Sequence, residues 1–120
     1  MYSLDEVRTF VEEEDVQFIR LAFCDTSGTQ KNISIMPAEL PRAFTYGVSF
    51  DGSAISGFGR RVKSDLFLHP DSATLAILPW RPSHGRVARM FCDIRTPDGA
   101  PFALDCRQML KRAIADAAER

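Results

Sequence analysis

The residues best placed to do chemistry in this 120-residue sequence form one short run, Phe50-Asp51-Gly52-Ser53. A carboxylate such as Asp51 can attract a cation in a partly closed pocket and then accept its proton. Gly52 and the glycines that follow it would let the backbone fold tightly over another surface. Taken alone, the run is more often a turn that its aspartate caps. Ser53 has no histidine within sequence reach, so it is not expected to act as a nucleophile.

The histidines and cysteines do not form a pattern that favours metal binding. His69 and His84 are the only histidines, each beside proline or glycine, and no cysteine or carboxylate stands at ligand spacing. Cys24, Cys92 and Cys106 are widely separated and show no C-x-x-C spacing, which argues against a zinc site and a disulfide framework. We therefore predict surface histidines, no metal ligands, and a reducing, cytoplasmic compartment. Cys24 and Cys92 are expected to pack as small hydrophobic side chains.

Charge and hydropathy argue against two classes of partner. Lys and Arg number 15 and Asp and Glu number 16, a net charge of −1 that gives no overall attraction to nucleic acid or anionic lipid. The one basic cluster, Arg60-Arg61-Val62-Lys63, is typical of solvated surface. No apolar stretch approaches the ~20 residues of a membrane span, and the first residues lack a secretory pattern. We predict a soluble protein that binds neither nucleic acid nor membrane.

The first half of the chain shows two helical patterns and one hairpin. Ser3 and Glu6 form a capping-box pattern that predicts a short amphipathic helix. Alternating apolar residues predict a strand over Gln17–Asp25 and a second over Asn32–Met36, joined by a turn. A helix is predicted over Ala38–Tyr46, although Pro41 stands inside it. The segment Val48–Lys63 has no consistent period and is predicted to be a long loop, which is usually functional.

The second half is predicted to be mostly extended. Strands are expected over Asp65–His69, Thr74–Pro79 and Arg86–Arg95. Asp105 is a good N-cap for a closing helix with an apolar face, and no stop signal precedes Arg120, so we expect this helix to continue beyond it or to have been cut.

Strands outnumber helices and do not alternate strictly with them. This order predicts an α+β fold, a mixed sheet of about five to six strands with helices packed on one face.

Several short motifs together resemble the amino-terminal domain of bacterial class I glutamine synthetases. Their order and spacing match from about Val7 to the end of the chain, where Asp105, Arg107 and Leu110-Lys111-Arg112 resemble the family's first long helix. The motifs are Phe18-Ile19-Arg20-Leu21-Ala22-Phe23-Cys24-Asp25-Thr26-Ser27-Gly28, Phe50-Asp51-Gly52-Ser53, Gly57-Phe58, Ser64-Asp65, Pro70-Asp71, Leu78-Pro79-Trp80, Arg89-Met90-Phe91-Cys92-Asp93-Ile94 and Pro97-Asp98-Gly99.

The resemblance implies a β-grasp domain over residues 1–104 and the start of the catalytic domain's linking helix over residues 105–120. It further implies an ATP-dependent ligase of glutamate and ammonia whose ATP and Mg or Mn ions are bound by the absent catalytic domain, not by this chain. The small domain would pack against the catalytic domains of its own and the adjacent subunit in a dodecamer. The chain alone would be inactive.

The resemblance also implies roles for five loop residues. Asp51 would bind ammonium and take its proton in the neighbouring subunit's site, with Gly52 and Ser53 beside the substrate. Phe58 and Asp65 would anchor the loop.

Two departures from the family pattern leave other functions open. Ala54 stands where the family usually has a second serine, and Arg60-Arg61-Val62-Lys63 replaces an acidic stretch. A less polar entrance would suit a larger amine, so a γ-glutamyl-amine (polyamine) ligase is one alternative. A free-standing β-grasp interaction module is another. A nucleic-acid-binding grasp domain would require a basic face that the composition does not provide.

Overall fold

The computed structural model of the chain describes residues 2–25, 27–52, 65–79 and 85–119. Within these ranges lie three α-helices and six strands. In chain order they are α1 Leu4–Glu13, β1 Val16–Cys24, β2 Gln30–Ile35, α2 Leu40–Tyr46, β3 Val48–Phe50, β4 Leu66–Pro70, β5 Ala76–Ile77, β6 Arg86–Arg95 and α3 Cys106–Glu119.

The strands form one mixed sheet in the order β2-β1-β6-β4-β3, with β5 also pairing with β6. The two long strands β1 and β6 run parallel at its centre, with Leu21 opposite Met90, and all other pairs are antiparallel. The predicted α+β fold with a mixed sheet of five to six strands is therefore confirmed.

The core lies between one face of this sheet and the helices α1 and α2. Alternation along β1 points Ile19, Leu21 and Phe23 to that face, where each is at most 4% exposed. Val7 and Val11 of α1 and Leu40 and Ala43 of α2 complete the same cluster of buried residues. Every second side chain of the strand and every third or fourth side chain of the helices thus contribute to one apolar layer.

The boundaries of the two amino-terminal helices follow from local chemistry. The predicted capping box of α1 is present, because the Glu6 amide donates to Ser3 Oγ at 3.2 Å and the Ser3 amide to Glu6 Oε1 at 3.3 Å. Pro41 stands in the first turn of α2, where its missing N–H removes no helical hydrogen bond. The helix α2 ends at Gly47, whose φ of 80° favours glycine and whose added Cβ would lie 2.9 Å from the Leu68 carbonyl oxygen.

Two of the predicted boundaries were wrong. The segment Val48–Phe50, predicted to be loop, is an edge strand that pairs with β4. The strand predicted over Thr74–Pro79 contains only Ala76–Ile77, because Asp71 accepts a hydrogen bond from the Ala73 amide at 3.1 Å and starts a 3₁₀ turn over Ser72–Thr74. Tertiary pairing in the first case and a local side-chain bond in the second override the sequence pattern.

The closing helix differs from the others in burial. Its predicted apolar face includes Met109, Leu110 and Ile114, which are 43%, 60% and 61% exposed. None of the helices in the described ranges is both long and apolar enough to cross a membrane.

Two leucine variants test where the core lies. Leu21→Ala removes a side chain that is fully buried, whereas Leu110→Ala removes one that is 60% exposed. We expect the first to lower the free energy of unfolding by about 2–5 kcal/mol and the second by less than about 0.5 kcal/mol. Urea unfolding followed by circular dichroism measures both values. Similar losses in the two variants would contradict the assignment of the core.

Candidate functional site

The predicted site residues Asp51 and Asp65 lie side by side at one end of the sheet. The strands β3 and β4 pair with Ser49 opposite Phe67 and Phe50 opposite Leu66. Asp51 and Asp65 are the next residues on the two strands, and both are exposed. The register of β3 and β4 therefore brings Asp51 and Asp65 next to each other at this end of the sheet.

Asp51 stands between two anchored neighbours. The ring of Phe50 packs on Phe23 of the central strand, with the ring centroids 4.9 Å apart and the planes tilted by 36°. Gly52 is buried, whereas Asp51 itself is exposed. The backbone at this position therefore lies between two packed residues, and Asp51 is at the exposed border of the sheet.

Several predicted residues lie outside the described part of the chain. These are Ser53, Ala54, Phe58, His84 and the basic cluster Arg60 to Lys63. Their predicted roles stay predictions.

His69 is half-buried in β4, although it was predicted to be a surface residue. Burial lowers its pKa, and the nearby charge of Arg95 lowers it further, so the neutral ring is favoured. The ring packs against the end of α2, since a Cβ added at Gly47 would lie 2.8 Å from its Nε2 atom. Among the residues that the structure describes, no three His, Cys, Asp or Glu side chains come together as a metal site.

A second polar cluster, which sequence reasoning did not assign to a site, surrounds the start of α3. Asp105 is 1% exposed and caps the helix as predicted, with its Oδ1 accepting from the Arg107 amide at 3.1 Å. Its other oxygen accepts from the Ile94 amide of β6 at 2.9 Å. Burial raises the pKa of Asp105 above the ordinary value despite these bonds. One side chain thus joins the beginning of α3 to the central strand.

Ion pairs extend this connection. Arg107 donates to Asp71 at 2.5 Å and to Asp93 at 2.9 Å, and the Lys111 ammonium donates to Asp93 at 3.0 Å. Burial by itself would raise the pKa of Asp71, but the hydrogen bonds from Arg107 and the Ala73 amide outweigh it and hold that pKa below its ordinary value. All four residues belong to the motifs that resemble glutamine synthetases. Membership in these motifs was the one signal in the sequence that could have indicated that they lie together.

The chain matches a known protein family over most of its length. Residues 15–97 match the family described as "Glutamine synthetase, beta-Grasp domain". A glutamine synthetase of Clostridium saccharobutylicum is 47% identical over 118 residues, covering 98% of this chain and 27% of that protein. A glutamine synthetase of Staphylococcus aureus is 43% identical over 115 residues, covering 96% of this chain and 26% of that protein. The chain therefore spans about a quarter of the length of these relatives.

Solved structures show the same fold. A structure described as a GmaS/ADP complex superposes with a TM-score of 0.84 at 27% identity, covering 99% of this chain and 26% of that one. A cryo-EM structure of Plasmodium falciparum glutamine synthetase gives a TM-score of 0.80 at 21% identity, covering 93% of this chain and 22% of that one.

The ion pairs at α3 make a pH-dependent contribution to stability. Because the folded pKa of Asp71 lies below the ordinary value of 3.8, its ionised form stabilises the fold above that value, and the contribution is lost as the pH falls through the folded pKa. We expect Asp71→Asn, which can still accept from the Ala73 amide, to lower the free energy of unfolding by about 1–3 kcal/mol at neutral pH. The difference from the wild type should shrink on acidification.

Urea unfolding at a series of pH values measures this effect. Asp116→Asn is the matched control, because Asp116 lies on the exposed part of α3 and should change stability by less than about 0.5 kcal/mol at each pH. A difference between wild type and Asp71→Asn that stays constant with pH would contradict the assigned ion pair.

Proposed function

The chain belongs to the glutamine synthetase β-grasp family, and on that premise we propose that it is the small amino-terminal domain of an ATP-dependent ligase that joins glutamate and ammonia. In that reaction ATP supplies the phosphoryl group that activates glutamate. On the same family resemblance, we propose that ATP and Mg or Mn ions are held by the catalytic domain and not by this chain. The proposed role of this chain is to complete a site that it does not contain, and alone it would be inactive.

The single observation that carries this proposal is the placement of Asp51. An exposed carboxylate follows an edge strand, between a ring packed on the sheet and a buried glycine. We propose that it enters the active site of the adjacent subunit, attracts ammonium, and accepts one proton so that neutral ammonia can act as the nucleophile. Gly52 and Ser53 would lie beside the substrate, with Phe58 and Asp65 anchoring the loop.

The start of α3 supports the proposed domain boundary. Residues 1–104 would form the β-grasp domain, and residues 105–120 would begin the helix that leads into the catalytic domain. Asp105, Arg107 and Lys111 fasten the first turns of this helix to the sheet, which would fix the orientation in which the chain leaves the domain. The proposed partners are the catalytic domains of the same and the adjacent subunit, in a cytoplasmic dodecamer.

Two alternatives have a specific observation in their favour. Ala54, which stands where the family usually has a second serine, supports a γ-glutamyl-amine ligase that uses a larger amine. The exposure of Met109, Leu110 and Ile114 on α3 supports a free-standing module that associates through this helix.

A complementation experiment tests the shared site. This chain is combined with a glutamine synthetase whose own loop aspartate has been replaced by asparagine, and ATP-dependent glutamine formation is measured. We expect the chain by itself to be inactive and the mixture to regain activity. Asp51→Asn should lower the regained activity by about 10²- to 10⁴-fold, because the carboxylate that accepts the proton is lost.

Asp15→Asn is the matched control, because it makes the same charge change at an exposed residue whose φ of 52° asparagine tolerates. It should restore activity as well as the wild-type chain. Equal restoration by Asp51→Asn would contradict the shared-site proposal. Restoration with methylamine or a polyamine but not with ammonium would favour the larger-amine alternative.

A further inference from the structure

The structure brings all three cysteines of the chain to one cavity. Cys24 at the end of β1, Cys92 of β6 and Cys106 at the start of α3 line a cavity of about 260 Å³ whose other walls are mainly apolar. Cys24 and Cys106 are half-buried, whereas Cys92 is 1% exposed. Residues that the sequence separates widely are therefore neighbours where α3 meets the sheet.

A hydrogen bond places the Cys106 sulfur close to Cys24. Cys106 Sγ donates to the carbonyl oxygen of Asp25, the residue directly after Cys24, at 3.0 Å. Asp25 is itself 3% exposed, and its Oδ1 accepts from the Ser27 and Thr29 amides at 2.9 Å each, which holds this turn in place. Cys106 is thus fastened to the end of β1, beside the other half-buried thiol.

The electrostatics agree with this proximity. Burial raises the pKa of the Cys106 thiol, and Cys24 raises it next, ahead of the carboxylates of Asp105 and Asp25. The charge of the Cys24 thiolate thus acts on the Cys106 thiol, as expected for two groups on the same cavity.

From this arrangement we propose that Cys24 and Cys106 are a redox-sensitive pair that forms a reversible disulfide within the chain when a peroxide oxidises the protein. The Cys24 thiolate attacks one peroxide oxygen, the O–O bond breaks, and the departing hydroxide is protonated to water, leaving a sulfenic acid on Cys24. The Cys106 sulfur then attacks the Cys24 sulfur, the S–S bond forms, and the S–O bond breaks. The Cys106 proton leaves with the hydroxyl group as a second water. Two thiols are oxidised and one hydrogen peroxide is reduced to two waters.

Cys92 serves as the internal comparison. It lines the same cavity but is nearly inaccessible, and burial raises its pKa well above that of an ordinary thiol. It should therefore remain reduced under conditions that oxidise the other two.

The cross-link would join two elements that are far apart in sequence. It would connect the end of β1 to the first turn of α3, next to the buried Asp105. Cys106 and Asp25 are 81 positions apart in the sequence. We expect the oxidised form to hold the first turn of α3 on the sheet more firmly than the hydrogen bond does. The inference does not depend on the proposed enzymatic role, since it concerns only the contact of α3 with the sheet.

Peptide mapping tests the pairing directly. Trypsin separates the three cysteines, because Cys24, Cys92 and Cys106 lie on the peptides 21–31, 90–95 and 96–107. The chain is treated with hydrogen peroxide, remaining thiols are alkylated, and the digest is analysed by mass spectrometry without reduction. We expect the linked peptides 21–31 and 96–107 at least tenfold above any link to 90–95. Dithiothreitol should reverse the link.

Controls separate this pair from unspecific oxidation. Cys24→Ser and Cys106→Ser should each abolish the link, whereas Cys92→Ala should leave it unchanged. A mixture of ¹⁵N-labelled and unlabelled chains should give no hybrid linked peptides. Amide hydrogen exchange in the first turn of α3 should slow on oxidation in the wild type and in Cys92→Ala only. Absence of the 24–106 link, a dominant link to Cys92, or hybrid peptides would each overturn the proposal.

Discussion

The structure depends on the parallel pairing of β1 with β6 at the centre of the sheet. Parallel neighbours cannot be joined by a tight turn, so the chain between them has to leave the centre and return. It does so through the outer strands: β2 pairs with β1 on one side, and β4 and then β3 extend the sheet beyond β6 on the other. The central pair buries Ile19, Leu21, Ala88 and Met90 completely. The outer strands β2, β4 and β3 are placed by their pairing, directly or through one another, with this central pair.

Two groups of polar residues at the border of the sheet follow from that arrangement. At the end of the β3–β4 pair, the sheet holds Asp51 beside Asp65 and leaves both exposed. Where α3 begins, the buried Asp105 and the ion pairs of Arg107 and Lys111 fasten a helix whose own apolar face is largely exposed. Both groups are organised by the core yet lie outside it. The exposed pair, Asp51 and Asp65, fits the proposed role, in which the domain presents Asp51 to a neighbouring subunit.

The sequence could predict what depends on local patterns. Alternation located β1 and β6, and the capping patterns located the starts of α1 and α3, because these signals come from residues close together in the chain. The strand β3 was missed because three residues are too few to show a period, and its pairing with β4 decides its conformation. The convergence of Asp71, Asp93 and Arg107, and of the three cysteines, could not be predicted, since each depends on strand registers that join distant segments. The function proposed for Asp51 rests on family resemblance, because Phe-Asp-Gly-Ser alone is an ordinary turn.

The most direct test of this account is a cryo-EM structure of this chain in the proposed assembly with glutamine synthetase catalytic domains, with ammonium and glutamate present. We predict that the Asp51 carboxylate of one subunit lies within about 3 Å of a cation or water in the active site of the next subunit. A structure in which that carboxylate faces bulk solvent, or contacts only its own subunit, would contradict the account.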